Sequence, residues 1–300
     1  MVKIVLTGSS GFVGQNLLNY LSRENFLLRP VSLRSTDNIS DILSGDAIIH
    51  LAGKAHDLKN VSNPEEYYQV NYELTKNLYN AFLKSDARKF IFISSVKASA
   101  DQIEGGLTED HIPDPQTHYG KSKLMAEEYI QSQVLPDEKS YYILRPCMIH
   151  GPGNKGNLNL LYQFVSKGLP YPLAGFENQR SFLSIENLCF VIKEILERTD
   201  IPSGIYHLAD DDALSTNSVI SRLAEAQGKK PRLWKVPPGL ISLAAKIGDK
   251  LHLPLNSERL QKLTESYVVS NEKIKKALGK ELPVSARDGI LRTAQSFKNS

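Results

Sequence analysis

Cysteine is almost missing from this 300-residue chain, with Cys147 and Cys189 the only two. They stand in apolar surroundings without a short paired spacing. That excludes a disulfide framework and a cysteine-based zinc site, leaves no metal to be expected, and fits a reduced, cytoplasmic setting. No hydrophobic run approaches the ~20 residues of a membrane-spanning helix, so no membrane partner is expected. The opening MVKIVLTG holds one lysine and a short apolar run closed at once by glycine, too little for a signal peptide. Charge of one sign is scarce as well: 36 basic residues nearly cancel 33 acidic ones, leaving +3, and no basic run is longer than a few residues. A nucleic-acid partner is therefore not expected, and an anionic ligand must be met by local cations. Internal repeats and low-complexity stretches are missing too. What is present is an ordinary globular mixture, 41% apolar and 23% charged, on a chain long enough to bury about three quarters of its unfolded surface.

Periodicity supplies the architecture. Val2 to Thr7 reads as a buried strand, Phe12 to Glu24 as an amphipathic helix and Leu28 to Arg34 as a second strand. A third strand at Ala47 to Leu51 precedes a long helix, Pro64 to Ser85, with Asn63 as its cap. A strand at Phe90 to Ile93, a helix at His118 to Gln133 and a strand at Tyr141 to Leu144 follow. Strands alternating with helices predict an α/β fold, a Rossmann-like doubly wound parallel sheet. After Pro146 the elements become shorter and more often broken by proline. They include helices near Leu158 to Lys167, Glu186 to Glu197 and Thr216 to Gln227, and short strands near Phe182 and Ile205. The division expected is a dinucleotide-binding domain over 1–150 and a smaller C-terminal α/β substrate lobe over 151–300, with segment 180–200 a candidate to return to the first.

Between the first strand and its helix stand Gly8, Gly11 and Gly14, with Phe12 and Val13 opening the helix. The first glycine permits a tight turn, the second lets backbone approach a pyrophosphate, and the third lets helix and strand pack closely. The helix N-terminus then offers N–H groups and a positive dipole end to the anion. A dinucleotide, NAD or NADP, is the cofactor this predicts; the alternative is a tight turn with no ligand. Arg34 closes the second strand where NAD-binding loops usually carry an acid, and a cation there suits a 2'-phosphate, although a solvated strand end accounts for it as well. Tyr119 and Lys123, four apart on one helix, can touch one site together. An ammonium beside a phenol favours the phenolate, which predicts a lowered Tyr119 pKa and a tuned acid/base. Ser94 and Ser95 end a strand at the edge where such sheets place ligands, and a hydroxyl there can bond a reacting oxygen.

TGSSGFVG, HLAG at His50 to Gly53, Asn71, FISS ending at Ser95, YGKSK and LRPCMIHGPG, in that order, resemble the extended short-chain dehydrogenase/reductases, the NAD-dependent epimerase/dehydratase family, in its UDP-glucose 4-epimerase-like branch. The resemblance implies Ser95 as a substrate hydroxyl ligand, Tyr119 as acid/base, and Lys123 as its partner and a nicotinamide-ribose ligand. It places Leu51, Ala52 and Gly53 on the adenine side and Pro146 in the cofactor groove. It implies a diphosphate contact at Arg180, with Arg259, Lys97 and Asn157 as further substrate candidates, and a homodimer through the long helix and the Tyr/Lys helix. The reaction implied is C4 epimerisation of a UDP-hexose or UDP-N-acetylhexosamine, for surface-glycan precursors. A 4-ketoreductase of a nucleotide 4-keto-6-deoxy sugar is the alternative, and a non-catalytic NAD(P)-binding regulator the rival of another class. Val96 and Lys97 stand where 4,6-dehydratases of the family carry an Asp-Glu pair, which argues against dehydration. Met148 stands where the family often has asparagine, so a substrate hydrogen bond would have to come from Asn154 or Asn157.

Overall fold

The computed structural model describes residues 2–33, 44–54, 63–154, 156–251 and 256–299. Its centre is a six-stranded sheet. In spatial order the strands are Phe26–Val31, Val2–Thr7, Ala47–His50, Lys89–Ile93, Ser140–Pro146 and Gly204–Leu208, and every neighbouring pair is parallel. Ile4, Val5 and Leu6 are buried in succession, as are all four residues of Ala47–His50. Helices cover both faces, so these strands need continuous apolar runs instead of alternation. One face packs Leu17 and Leu21 of helix Phe12–Leu21 with Leu188, Ile192 and Ile195 of helix Ile185–Glu197. The other packs Tyr79 and Phe82 with Ala126 and Ile130, carried by the long helix and by helix His118–Ser132.

The chain leaves the first strand toward one edge and crosses back to place its third strand on the other side of the first. That reversal opens a crevice at the carboxyl ends, where open α/β sheets bind ligands.

The long helix is less regular than its sequence suggests. It starts at the expected cap, Asn63, whose Oδ1 accepts the Glu65 N–H at 3.2 Å. It runs as α over Pro64–Tyr67, as π over Tyr68–Glu73 and as α again over Leu74–Lys84. A π segment inserts extra backbone into a turn and is commonly found at functional sites. Here it carries the buried Asn71.

The strand near Ile205, expected in the second lobe, is the sixth strand of the main sheet and pairs with Ser140–Pro146. Helix Ile185–Glu197 lies against helix Phe12–Leu21, tied by Lys193 to Glu24 at 2.8 Å. Residues after 151 therefore contribute a strand and a helix to the first body. A separate core, including Leu158, Phe182, Val219, Leu223 and Ile290, holds the rest of the C-terminal part together. The short parallel pair Met148–His150 and Phe182–Ser184 joins the two.

Candidate active site

The glycine turn is built from backbone alone. Gly8 has φ +70°, and a Cβ on it would lie 2.6 Å from the Ala52 amide nitrogen and 2.7 Å from the Leu51 carbonyl carbon. A Cβ on Gly14 would lie 2.6 Å from Ser9 Cα. The first and third glycines therefore let the turn, the 51–53 loop and the helix approach more closely than any side chain allows. Gly11 caps the helix without a side-chain hydrogen bond, and no acid stands in the first turn, so the dipole end is left for an external anion. Phe12 and Val13 begin that helix half-buried. The Phe12 ring lies beside the loop at Gly151 and Gly153, and Asn16 Nδ2 donates to Pro152 O at 3.2 Å. Pro146 is buried at the carboxyl end of its strand. These features fit a dinucleotide's phosphates.

Opposite the turn, helix His118–Ser132 delivers three side chains at four-residue intervals: Tyr119, Lys123 and Glu127. Thr117 caps it, Oγ1 accepting the Gly120 N–H at 3.2 Å. Tyr119 hydrogen-bonds Ser95 and stands edge-on to Tyr67, with ring centroids 6.3 Å apart. Its pKa is raised, not lowered as expected. Burial is the largest cause, and the Ser95 hydrogen bond only partly offsets it. The Lys123 ammonium instead donates to Ile93 O at 2.9 Å and lies 4.7 Å from the centre of the Phe92 ring. Burial lowers the Lys123 pKa to about 8, against the opposing pull of Glu127. A Cβ on Gly53 would lie 3.2 Å from Lys123 Nζ, so the ammonium borders the loop that also touches the glycine turn.

Glu127 is the residue the sequence reading missed. Fully buried, it accepts a bond from Ser94 Oγ and forms a fork with Arg145, Nε to Oε2 at 3.0 Å and a terminal nitrogen to Oε2 at 2.5 Å. Its signal was available: it lies one further helical turn along the face that carries Tyr119 and Lys123. Asn71 was visible only as a motif residue, and its work is specific. Its Oδ1 accepts the Lys54 N–H at 2.8 Å, and its Nδ2 donates to Lys54 O and Ser122 Oγ, both at 3.1 Å. It clamps the 51–54 loop to the Tyr/Lys helix.

A directional chain fixes the other end of that loop. Ala52 N–H donates to Thr7 Oγ1 at 3.3 Å, and Thr7 Oγ1 lies 2.7 Å from His50 Nδ1. His50 Nε2 lies 2.9 Å from Thr75 Oγ1, which donates to Asn71 O at 2.8 Å. Because Thr75 spends its proton on Asn71, it accepts from His50 Nε2–H, and Nδ1 accepts from Thr7. The imidazole is neutral, its pKa pushed down to about 3 by burial and then by Lys123.

The expected substrate residues are met unevenly. Lys97 follows Ser95 in a short 3-10 turn, its backbone N–H donating to Ser95 Oγ at 3.2 Å. Its ammonium donates to Asp101 O at 2.7 Å and sits 4.4 Å from the centre of the Tyr267 ring. Burial lowers its pKa, with Asp101 and Glu265 opposing and Arg180 assisting. Arg180 thus shares one electrostatic cluster with Lys97, and it pairs with Glu265 at 3.2 Å. Arg259 is exposed on helix Ser257–Thr264. Asn157 begins helix Asn157–Ser166, and its side chain, like the whole of Arg34, lies outside the described residues. Asn154 serves its own loop, donating to Ile149 O at 2.9 Å and accepting the Gly156 N–H at 2.6 Å.

A phosphate-type glycine turn and a group of half-buried Tyr119 with buried Lys123 and Ser95 thus face one crevice. The family model described as "NAD dependent epimerase/dehydratase family" matches residues 4–209. The chain belongs to that family. It is 30% identical to a UDP-glucose 4-epimerase of Vibrio cholerae, over 98% of this chain and 95% of the relative. It is 28% identical to N-acetyl-alpha-D-glucosaminyl-diphospho-ditrans,octacis-undecaprenol 4-epimerase of Escherichia coli O157:H7, over 91% and 84%. Among solved structures, a UDP-glucuronic acid 4-epimerase from Bacillus cereus in complex with NAD superposes with a TM-score of 0.75 at 20% identity, covering 99% of each chain. This epimerase/dehydratase family member is an NAD(P)-dependent enzyme of the extended short-chain dehydrogenase/reductase class.

Proposed function

We propose that the protein is a C4 epimerase of a nucleotide sugar, a UDP-hexose or UDP-N-acetylhexosamine used for surface-glycan precursors. The observation that carries this reading is the group of half-buried Tyr119 with buried Ser95 and Lys123, the lysine bordering the 51–54 loop that meets the glycine turn. Bound NAD(P) would supply reversible hydride exchange at the sugar carbon. The remaining chemistry belongs to the chain. Ser95 and Tyr119 hold the C4 hydroxyl between them, and Tyr119 takes its proton as the carbon is oxidised and returns it on reduction. Burial favours the neutral phenol of Tyr119 at rest, so it must first lose that proton to solvent before it can accept the one from the C4 hydroxyl. The Lys123 ammonium supplies the positive charge that lets the phenolate form. The glycine turn, Phe12, Val13 and loop 51–53 seat the dinucleotide.

Arg180 and Lys97 are the local cations for the diphosphate, the element shared by nucleotide sugars and by the lipid-linked substrate in the Escherichia coli relative's name. The UDP assignment is supported by the Vibrio relative. Two copies would pair through helices 64–84 and 118–132, and the two unpaired, buried cysteines favour the cytoplasm.

The test is incubation with UDP-galactose or UDP-GalNAc without added cofactor, read by NMR. Wild type should yield the C4 epimer, and Tyr119→Phe should lose about 10²–10⁴-fold in turnover while still binding NAD(P)H. Unchanged turnover in Tyr119→Phe would remove the assigned acid/base. Activity confined to a 4-keto sugar with NADPH would replace the epimerase by a ketoreductase. NAD(P) binding without turnover of any sugar would make the protein a regulator.

A further inference from the structure

Helix Pro238–Leu251 is amphipathic in the wrong sense for a packed element. It turns Ala245 and Gly248 into the protein, with Ile241 half-buried against the second core, and leaves its other large residues outside. Leu240, Leu243, Ile247 and Leu251 are 60%, 56%, 48% and 63% exposed. At 100° per residue they fall within one narrow stripe along the outer surface. The segment entering the helix adds Trp234, 59% exposed and the only tryptophan in the chain. Large apolar side chains gathered outward on one element mark a contact surface, because folding alone would have turned them inward.

Charge decides what the surface meets. Residues 229–251 carry Lys229, Lys230, Arg232, Lys235, Lys246 and Lys250 against a single acid, Asp249. That is +5 on a chain whose total is +3, so the remainder of the molecule is negative. Lys246 and Lys250 border the apolar stripe on its solvent side. Lys229, Lys230 and Arg232 line, with Lys167, a pocket of about 400 Å³ behind the entering segment. An apolar stripe edged by lysines and headed by a tryptophan is the pattern of a helix lying in a bilayer interface. There the apolar residues enter the acyl boundary and the cations meet anionic headgroups.

We propose that helix Pro238–Leu251 and the segment before it dock this protein on the surface of an anionic lipid bilayer. Among the described residues no helix is long and apolar enough to cross a membrane, and none is needed. The expectation of no membrane partner was drawn from span length, which says nothing about a helix that lies flat. The inference is independent of the reaction proposed above.

The single tryptophan makes the test direct. The full chain is mixed with vesicles of phosphatidylcholine alone or with a third of phosphatidylglycerol, and Trp234 emission and co-sedimentation are followed. With anionic vesicles the emission should shift to the blue and be quenched by brominated acyl chains, and binding should fall at least tenfold in high salt. Leu243→Glu combined with Ile247→Glu should lower partitioning at least tenfold, with circular dichroism and thermal unfolding showing the fold retained. Absence of binding to either vesicle, equal binding to both, or a dimer that the double variant dissociates without any vesicle binding would overturn the proposal.

Discussion

Lys123 is the side chain on which the proposed chemistry turns. Its pKa near 8 arises from burial, and Glu127 keeps it from falling further. The two consequences for pH run in opposite directions. Between about 8 and 10.5 the unfolded chain holds a proton on this lysine that the folded chain has released. The group's contribution to stability therefore rises with pH across that window. The proposed reaction needs the ammonium, so kcat/KM should decline on an alkaline limb near pH 8, and Glu127→Gln should move that limb lower; a limb unmoved by the substitution would detach Glu127 from the lysine. The sequence made Tyr119 and Lys123 visible through their spacing. It could not show that burial, with only the Ser95 hydrogen bond opposing it, sets the phenol's pKa, because burial depends on groups such as Ser95 and Tyr67 that converge only on folding.

At the scale of elements, the π segment Tyr68–Glu73 carries the Asn71 clamp. A regular helical pattern was legible from Pro64 onward, and Asn63 was legible as its cap. The π irregularity was not, since Tyr68–Glu73 holds no glycine or proline that would mark it, and the segment packs against helix His118–Ser132. Asn71→Ala removes three hydrogen bonds at a fully buried position. With a net ~0.5–1.5 kcal/mol for each, it should destabilise the fold by about 2–4 kcal/mol in urea unfolding and weaken NAD(P)H binding in a fluorescence titration. Stability lost with cofactor affinity unchanged would confine the clamp to a structural role. Glu127 was legible by its place on the Tyr119/Lys123 face, but its fork with Arg145 beneath the site was not. The fork's two partners come from a strand and a helix, and neither periodicity carries information about a buried charge.

At the scale of the whole molecule, the cluster proposed to meet the substrate diphosphate is assembled from distant parts of the chain: Lys97 after the fourth strand, Arg180 just before the short strand Phe182–Ser184, and Glu265 and Tyr267 near the C-terminus. Arg180 is committed to Glu265 before any substrate arrives. Arg180→Ala should raise KM for a UDP-sugar at least tenfold, as expected for loss of a charge-assisted bond, with kcat changed much less. Glu265→Gln should lower KM by releasing the guanidinium. A fall in kcat alone in Arg180→Ala would place Arg180 outside the diphosphate site. Segment 151–300 also shows where reading by segments stops: the strand Gly204–Leu208 looks local in sequence yet completes the main sheet.

By itself the amino-acid order determined the strand–helix alternation, the glycine turn and the four-residue spacing of tyrosine and lysine. All of these depend on neighbours within a turn or two along the chain. The tertiary structure alone decided the protonation of that pair, the buried Glu127–Arg145 support, the Arg180–Glu265 contact and the outward face of helix Pro238–Leu251. Burial and electrostatics are set by groups close in space, and most of those groups are far apart in the sequence.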